Sequence, residues 1–235
     1  MKEKEIKQVV KGKYAQMAKQ GQQNCCSSCE CGVNPLAQAE AIGYTKEDLE
    51  SIPEEAAMGL GCGNPTAIAA LREGELVLDL GSGAGIDVFL AANKVGPTGR
   101  VIGVDMTEEM IYTANANAKN NGYENVEFRL GEIEKLPVDD GSVDTIISNC
   151  VINLSPDKSK VFQEAYRALK PGGRLIVSDI VSEGMLPDGI RNNPDAWAGC
   201  IAGALEQQEY LGEIREAGFR DLQVVPNGEF HVENP

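Results

Sequence analysis

The sequence has very little histidine. Its 235 residues include a single histidine, His231. One imidazole cannot build a histidine-ligated zinc site, and a histidine only four residues from the last residue printed is a poor candidate for a general base. We therefore expect the chemistry of this chain to rest on other side chains.

Basic residues and long apolar runs are also scarce. Lysine and arginine total 21 against 36 aspartate and glutamate, for a net charge of −15. We read this acidity as a source of solubility and expect neither nucleic acid nor an anionic membrane as a partner. No apolar run approaches the length of a membrane span, and residues 1–5 hold no apolar signal core. These absences predict a cytoplasmic protein.

Cysteine, by contrast, is well represented. Without an export signal, reduced thiols or ligands for a soft metal are expected rather than structural disulfides. Four of the seven cysteines share one polar loop, and the others are dispersed. They are Cys25, Cys26, Cys29 and Cys31 in the loop, then Cys62, Cys150 and Cys200.

Strand and helix patterns alternate through most of the chain. The predicted strands are residues 76–80, 100–105, 126–130, 143–149, 174–180 and 219–225. Such alternation predicts an α/β fold with a parallel sheet and helices on both faces. We expect residues 1–72 to form a helical cap with the cysteine loop, and residues 73–235 to form the core.

The first predicted strand opens into a glycine-rich turn. Residues 76–80 are mostly apolar, and Gly81, Gly83 and Gly85 follow at alternate positions before a helical pattern. Glycines let the backbone approach a ligand closely, and a helix N-terminus offers free N–H groups. About twenty residues on, the second strand ends at Asp105, where a ribose-binding acid belongs in such folds. The pair predicts a cradle for a nucleotide-like ligand.

Three cysteines are predicted to lie near that cradle. Cys150 directly follows the fourth strand, and Cys200 lies in the segment after the fifth. Ligands of open parallel sheets lie beyond the carboxyl ends of the strands, so Cys150 should face the ligand. Cys62, in a Gly-Cys-Gly turn, has no bulky neighbour. Each alone fits a small buried apolar residue. Together, without histidine, three thiolates favour a soft, thiophilic ion over magnesium or calcium.

The run Asp-Leu-Gly-Ser-Gly-Ala-Gly at residues 79–85, taken with Asp105, resembles the class I S-adenosylmethionine-dependent methyltransferases. The resemblance implies a Rossmann-like sheet and S-adenosylmethionine as cofactor. It assigns cofactor binding to Asp79, Gly81, Ser82, Gly83, Asp105, Met106, Glu132, Ile133 and Asn149. Members of that class usually close the sheet with a seventh, antiparallel strand paired to the sixth. Only residues 229–232 remain for it here, so we expect it to be short or absent.

Three further motifs resemble arsenite S-adenosylmethionine methyltransferases. They are Gly-Leu-Gly-Cys-Gly-Asn-Pro at 59–65, Ser-Asn-Cys-Val-Ile-Asn-Leu-Ser-Pro-Asp-Lys at 148–158, and Gly-Cys-Ile-Ala-Gly-Ala-Leu at 199–205. This resemblance implies that Cys62, Cys150 and Cys200 bind trivalent arsenic, which is then methylated for detoxification.

The resemblance also implies a relay thiol in the N-terminal loop. Cys25 and Cys26 are best placed for it, and a small thiol or a thioredoxin would be the reductant. Cys29 and Cys31 go beyond the family pattern, and they are open to interpretation as extra arsenic or metal ligands or as part of a redox-sensitive loop.

Two other functions stay open at this level. One is methylation of a small organic metabolite, which predicts a large apolar pocket and needs no set of three cysteines. The other is a non-catalytic metalloid-binding protein that chelates through the closely spaced loop cysteines. The intact cofactor motif argues against the second.

Overall fold

The computed structural model describes residues 2–20 and 34–226. Cys25, Cys26, Cys29, Cys31 and the candidate seventh strand lie outside these residues. Within the described ranges, each helix is too short or too polar to cross a membrane.

The described strands form one parallel sheet with the order β3-β2-β1-β4-β5. They are β1 (Leu76–Leu80), β2 (Arg100–Asp105), β3 (Val126–Leu130), β4 (Val143–Asn149) and β5 (Leu169–Ser178). The first four match the predicted bounds. The predicted parallel α/β sheet is confirmed.

The last strand of the sheet differs from its prediction at both ends. Leu169 already pairs with Val143, and the register then shifts so that Arg174 pairs with Thr145. The intervening Lys-Pro-Gly-Gly residues therefore bulge from the strand rather than precede it. β5 ends at Ser178, which leaves Asp179 and Ile180 in the loop that follows.

The predicted sixth strand is wrong. Residues 219–226 form no strand in the described part of the chain, and Val224 and Val225 are 51% and 68% exposed. The β-branched residues in this segment favour a strand, but a strand also needs a neighbour for its backbone N–H and C=O groups. In the class that the sequence resembles, the seventh strand is that neighbour, and its candidate residues lie outside the described chain.

Helices cover both faces of the sheet. The helices of the core are α5 (Ile86–Val95), α6 (Glu108–Asn120), α7 (Lys158–Ala168), α8 (Asp188–Arg191), α9 (Pro194–Ala198) and α10 (Gln207–Glu216). Neighbouring side chains of a strand point to opposite faces. Ile147 accordingly packs in the cluster under α5 and α6, whereas Ile146 packs in the cluster under α7 and α10.

The segment before the sheet packs directly onto it. Its helices are α1 (Glu3–Gln20), α2 (Pro35–Ala41), α3 (Lys46–Glu50) and α4 (Pro65–Ile68). Tyr44, Leu49 and Ile52 belong to the same hydrophobic cluster as α5. Helix α1 instead contacts α6 and α9, and its Ile6 and Val10 are buried beside Cys150 and Cys200. The division of the chain at residue 72 stays a prediction.

Candidate active site

The turn after β1 is shaped by its glycines. Gly81, Gly83 and Gly85 have φ values of 68°, 52° and 104°, which are unfavourable for other residues. A Cβ at Gly81 would overlap Val151, and one at Gly85 would lie 2.7 Å from the Phe89 ring. A Cβ at Gly83 would meet nothing within 4 Å, so open space lies beside this residue. The turn therefore leaves room for a ligand to approach its backbone.

Three buried carboxyl groups surround this turn. Asp105 accepts hydrogen bonds from the backbone N–H of Thr107 at 2.8 Å and of Gly83 at 3.0 Å. Burial raises the pKa of Asp105. Burial also raises the pKa of Asp79 well above its usual value, with a further contribution from the charges of Asp87 and Asp105. Burial raises the pKa of Asp87 to about 6. A ligand with positive charge would relieve the repulsion among these groups.

A cleft extends from the glycine turn to Cys150. Of the predicted cofactor-binding residues, those that line it are Asp79, Gly81, Ser82, Gly83, Asp105, Met106, Ile133 and Asn149. Glu132 lies outside this lining: its side chain is 56% exposed, and it forms an ion pair with Lys7 at 2.7 Å. The structure places Glu134 in the cleft instead, and its Oε1 accepts a hydrogen bond from Ser155. Cofactor contact by Glu132 stays a prediction.

Asn149 ties the cap to the sheet. Its Oδ1 accepts from the backbone N–H of Cys62 at 3.0 Å, and its Nδ2 donates to the Gly63 carbonyl at 2.7 Å and to the Tyr44 hydroxyl at 2.9 Å. A Cβ at Gly61 would lie 2.8 Å from the same Nδ2. One side chain at the end of β4 therefore fixes the turn that carries Cys62.

The three dispersed cysteines meet at this edge of the sheet. All three are free thiols, and Cys150 and Cys200 are buried. Hydrogen bonding with the thiols of Cys200 and Cys62, together with burial, raises the pKa of Cys150 far above its ordinary value. The Cys62 thiol donates to the Ser178 carbonyl at 3.3 Å, and the Tyr14 hydroxyl lies 4.0 Å from the Cys200 sulfur. The result is a compact thiol site beside the cleft.

Two of these cysteines have a left-handed backbone. The φ values of Cys150 and Cys200 are 62° and 63°. That conformation costs a residue with a side chain about 1–2 kcal/mol. Cys200 lies just past the end of α9, at the kind of position where glycine is usual. Strain of this kind is typical of functional sites, and here it accompanies the convergence of the sulfurs.

This strain predicts an unusual order of stability. Cys200→Gly should have a higher free energy of unfolding than Cys200→Ala by about 1 kcal/mol, because only alanine retains the backbone strain. Chemical denaturation of both variants measures the difference. Cys62, whose φ is not positive, serves as the control, since glycine there should be the less stable variant. If the glycine variant were more stable than the alanine variant at both positions, the gain at position 200 would not come from relief of backbone strain.

Sequence analysis missed one carboxylate at the thiol site. Asp179, just after β5, has a carboxylate oxygen within 4.8 Å of the sulfurs of Cys62 and Cys150. The Tyr210 hydroxyl donates to it at 2.9 Å, and burial raises its pKa to about 7. The available signal was a carboxylate that follows an apolar strand at its carboxyl end.

Helix α1 borders the cleft, which sequence analysis also missed. Its residues Lys7, Val10 and Tyr14 are part of the lining. Lys7 pairs with Glu132 at 2.7 Å and with Glu134 at 3.0 Å. The apolar face of this helix was visible in the sequence, but its place over the cleft depends on contacts distant in the chain.

The chain is similar in sequence to known methyltransferases. A methyltransferase-domain family model matches residues 71–218. An arsenite methyltransferase of Halobacterium salinarum is 47% identical over 96% of this chain and 60% of its own length. The human arsenite methyltransferase is 34% identical over 100% of this chain and 63% of its own length. The chain thus spans somewhat under two thirds of these relatives.

Solved structures agree with the fold. The crystal structure of an arsenic(III) S-adenosylmethionine methyltransferase from Chlamydomonas reinhardtii has a TM-score of 0.64 and 41% identity, covering 78% of this chain and 62% of that one. A SAM-dependent methyltransferase from Aquifex aeolicus has a TM-score of 0.58 and 26% identity, covering 83% of this chain and 94% of that one. The fold is that of the class I S-adenosylmethionine methyltransferases.

The cleft suits this cofactor. S-adenosylmethionine carries positive charge on its sulfonium and ammonium groups, which matches the buried carboxyls Asp79 and Asp87. The open space beside Gly83 admits a ligand against the backbone. S-adenosylmethionine is accordingly the cofactor. The chain belongs to the methyltransferase-domain family and is similar over most of its length to arsenite methyltransferases.

Proposed function

We propose that this chain methylates trivalent arsenic, first arsenite and then methylarsenite, by transfer of the methyl group of S-adenosylmethionine to thiolate-bound arsenic. The observation that supports this most is the meeting of Cys62, Cys150 and Cys200, with Cys150 also lining the cofactor cleft. The biological role would be arsenic detoxification. Similarity to the arsenite methyltransferases supports the same substrate.

In this methyl transfer, the protein mainly has to position arsenic and the cofactor next to each other. Three thiolates leave the arsenic lone pair on the open side of a pyramid, and S-adenosylmethionine, when bound, supplies the electrophilic methyl group that this lone pair attacks. No proton leaves arsenic in that step, so no general base is required. The residues of the chain hold the thiols beside the cleft, and helix α1 limits access of water to it.

The thiols must be deprotonated when arsenic binds. The neighbouring thiols and burial keep Cys150 protonated in the free protein, as its raised pKa indicates. The positive charge of a bound sulfonium would favour the thiolate. Attack by the lone pair would release S-adenosylhomocysteine and leave the methylated arsenic pentavalent, so two electrons are needed to return it to trivalent methylarsenite. We propose that Cys25 or Cys26 relays these electrons from a small thiol or a thioredoxin, which is oxidised to a disulfide. Free site thiols are suited to the reducing cytoplasm, which we propose as the location.

The direct test is product identification. The chain is incubated with arsenite, S-adenosylmethionine and a thiol, and the arsenicals are identified by mass spectrometry. We expect mono- and dimethylated arsenic. Methyl transfer to a quinone but not to arsenite would instead favour the metabolite methyltransferase.

Cofactor affinity should depend on pH. The raised pKa of Asp87, about 6, means that this carboxyl gains a proton in the free protein as the pH falls toward and below that value. A cationic ligand prefers the ionised form, so affinity for S-adenosylmethionine should be full near neutral pH and fall through about pH 6. Titration calorimetry at several pH values measures this. S-adenosylhomocysteine, which lacks the sulfonium charge, is the control and should lose less affinity. If both ligands lost affinity equally as the pH falls, the acidic groups would not be interacting with the sulfonium charge.

A further inference from the structure

Among the described residues, the ligand atoms spaced closely enough to share one metal ion are not those of the three cysteines. Among the described residues, the one set of three cysteine, histidine or carboxylate ligand atoms within 4.8 Å of one another is Cys62, Cys150 and Asp179. The Cys150 thiol links a third sulfur, that of Cys200, to this set. Trivalent arsenic uses three thiolates and a lone pair, so it leaves the carboxylate without a role.

We propose that Cys62, Cys150 and Asp179, with Cys200 as fourth ligand, bind a thiophilic divalent cation of the Zn²⁺ or Cd²⁺ type. These ions take four ligands in a tetrahedron and accept both thiolate and carboxylate. Binding releases the thiol protons to solvent and requires no redox step. Because the cation and arsenic share thiols, the two compete. The site uses thiols of the proposed arsenic site but does not depend on methylation.

The ligands are already oriented by their neighbours. The carboxylate of Asp179 accepts from the Tyr210 hydroxyl at 2.9 Å and from the Ile180 backbone N–H at 3.1 Å. The Cys62 backbone is held by Asn149 at 3.0 Å. Metal ligands in proteins are commonly fixed by such outer hydrogen bonds, which contribute strongly to affinity.

The buried ammonium group of Lys158 lies near these proposed ligands. Lys158 is only 8% exposed, and its ammonium donates to the Ser155 carbonyl at 3.0 Å and lies 5.8 Å from the centre of the Trp197 ring. Its charge interacts with Asp179 and Cys200. Three thiolates and a carboxylate around a divalent ion leave net negative charge, which this ammonium offsets.

The test is a Cd²⁺ titration of the full chain, without arsenite or S-adenosylmethionine. All proteins carry serine at Cys25, Cys26, Cys29 and Cys31, so that sulfur-to-cadmium absorption reports only the proposed site. We expect one Cd²⁺ per chain. Asp179→Asn should weaken its binding roughly 10- to 100-fold. Asp139→Asn, which removes the same charge from an exposed position, should bind as the parent does. Arsenite should bind the parent and both variants with similar affinity.

A second variant covers the case in which Asp179→Asn does not fold. Asp179→Cys supplies a fourth thiolate and should bind Cd²⁺ more tightly than the parent. Unchanged Cd²⁺ affinity in Asp179→Asn, or in Asp179→Cys, would overturn the carboxylate ligand. Equal loss of arsenite and Cd²⁺ in Asp179→Asn would assign Asp179 to the arsenic site alone. If Cd²⁺ binding depends on Asp179 but no arsenic is methylated, the cation site stands and the proposed function fails.

Discussion

Cys150→Ser and Cys200→Ser are each expected to abolish methylation of arsenite and of methylarsenite. Each removes one soft ligand, and a serine hydroxyl stays protonated at neutral pH and coordinates arsenic poorly. Both sulfurs are buried, and the described residues hold no cysteine besides these two and Cys62 that could replace the lost ligand. The measurement is mass spectrometry of the arsenicals, with a detection limit well below one per cent of the wild-type product.

Cofactor binding is the control for these variants. Cys200 is absent from the lining of the cleft, and Cys150 is one of many residues that line it, so S-adenosylmethionine should bind both variants. Near wild-type methylation by either variant would contradict the three-thiolate mechanism and favour the small-metabolite activity.

Cys62→Ser should give a more selective result. Methylarsenite has only two exchangeable positions, so the thiols of Cys150 and Cys200 can still hold it. We expect this variant to lose the first methylation and to retain part of the second. Because Asn149 holds the backbone of Cys62 and not its sulfur, the turn should keep its position.

Asp105→Ala is expected to weaken S-adenosylmethionine binding by about 1.5–3 kcal/mol, or roughly 10- to 150-fold. The carboxylate lies at the end of β2 in the cleft, where we propose that it accepts charge-assisted hydrogen bonds from the ribose hydroxyls, which alanine would remove. The change also removes the acceptors for the N–H groups of Gly83 and Thr107, which loosens the glycine turn. Titration calorimetry measures the affinity.

The matched measurement uses S-adenosylhomocysteine. Both ligands share the ribose, so Asp105→Ala should weaken them by the same factor. Asp139→Ala, on the surface, should weaken neither. A larger loss for S-adenosylmethionine would mean that Asp105 acts on the sulfonium charge, and unchanged affinity for both would remove Asp105 from the cofactor site.

The sequence predicted those parts of the fold that depend on local pattern. β1 and β2 are mostly apolar, whereas β3 and β4 mix apolar with polar residues, and the bounds of all four follow from such local patterns. The glycine turn and Asp105 also follow from short motifs with fixed spacing. The predicted strand at 219–225 failed because strand formation depends on pairing with a neighbouring strand, which the pattern within the segment itself does not report.

The site was predictable to a similar degree. A cysteine just after a parallel strand lies at the ligand edge of the sheet, so the location of Cys150 follows from topology. The position of Asp179 beside Cys150 depends on the register of β5 against β4, including a bulge that no local sequence pattern indicates. The role of Asn149 as the link to Cys62 likewise depends on where the cap folds back, which only tertiary structure gives.

Helix α1 has one more consequence for experiments on this protein. It is held by ion pairs: besides Lys7, Lys19 pairs with Glu109 at 2.8 Å, Lys13 with Asp195 at 3.6 Å and Lys11 with Glu108 at 3.8 Å. Exposed pairs are weakened by dissolved salt, whose screening length shrinks from about 30 Å at 0.01 M to about 3 Å at 1 M. The buried Ile6 and Val10 also hold this helix, so only part of its attachment beside the cleft depends on the salt concentration of the buffer. We therefore expect the rate of cofactor exchange to change with ionic strength, so such rates are best compared at matched salt.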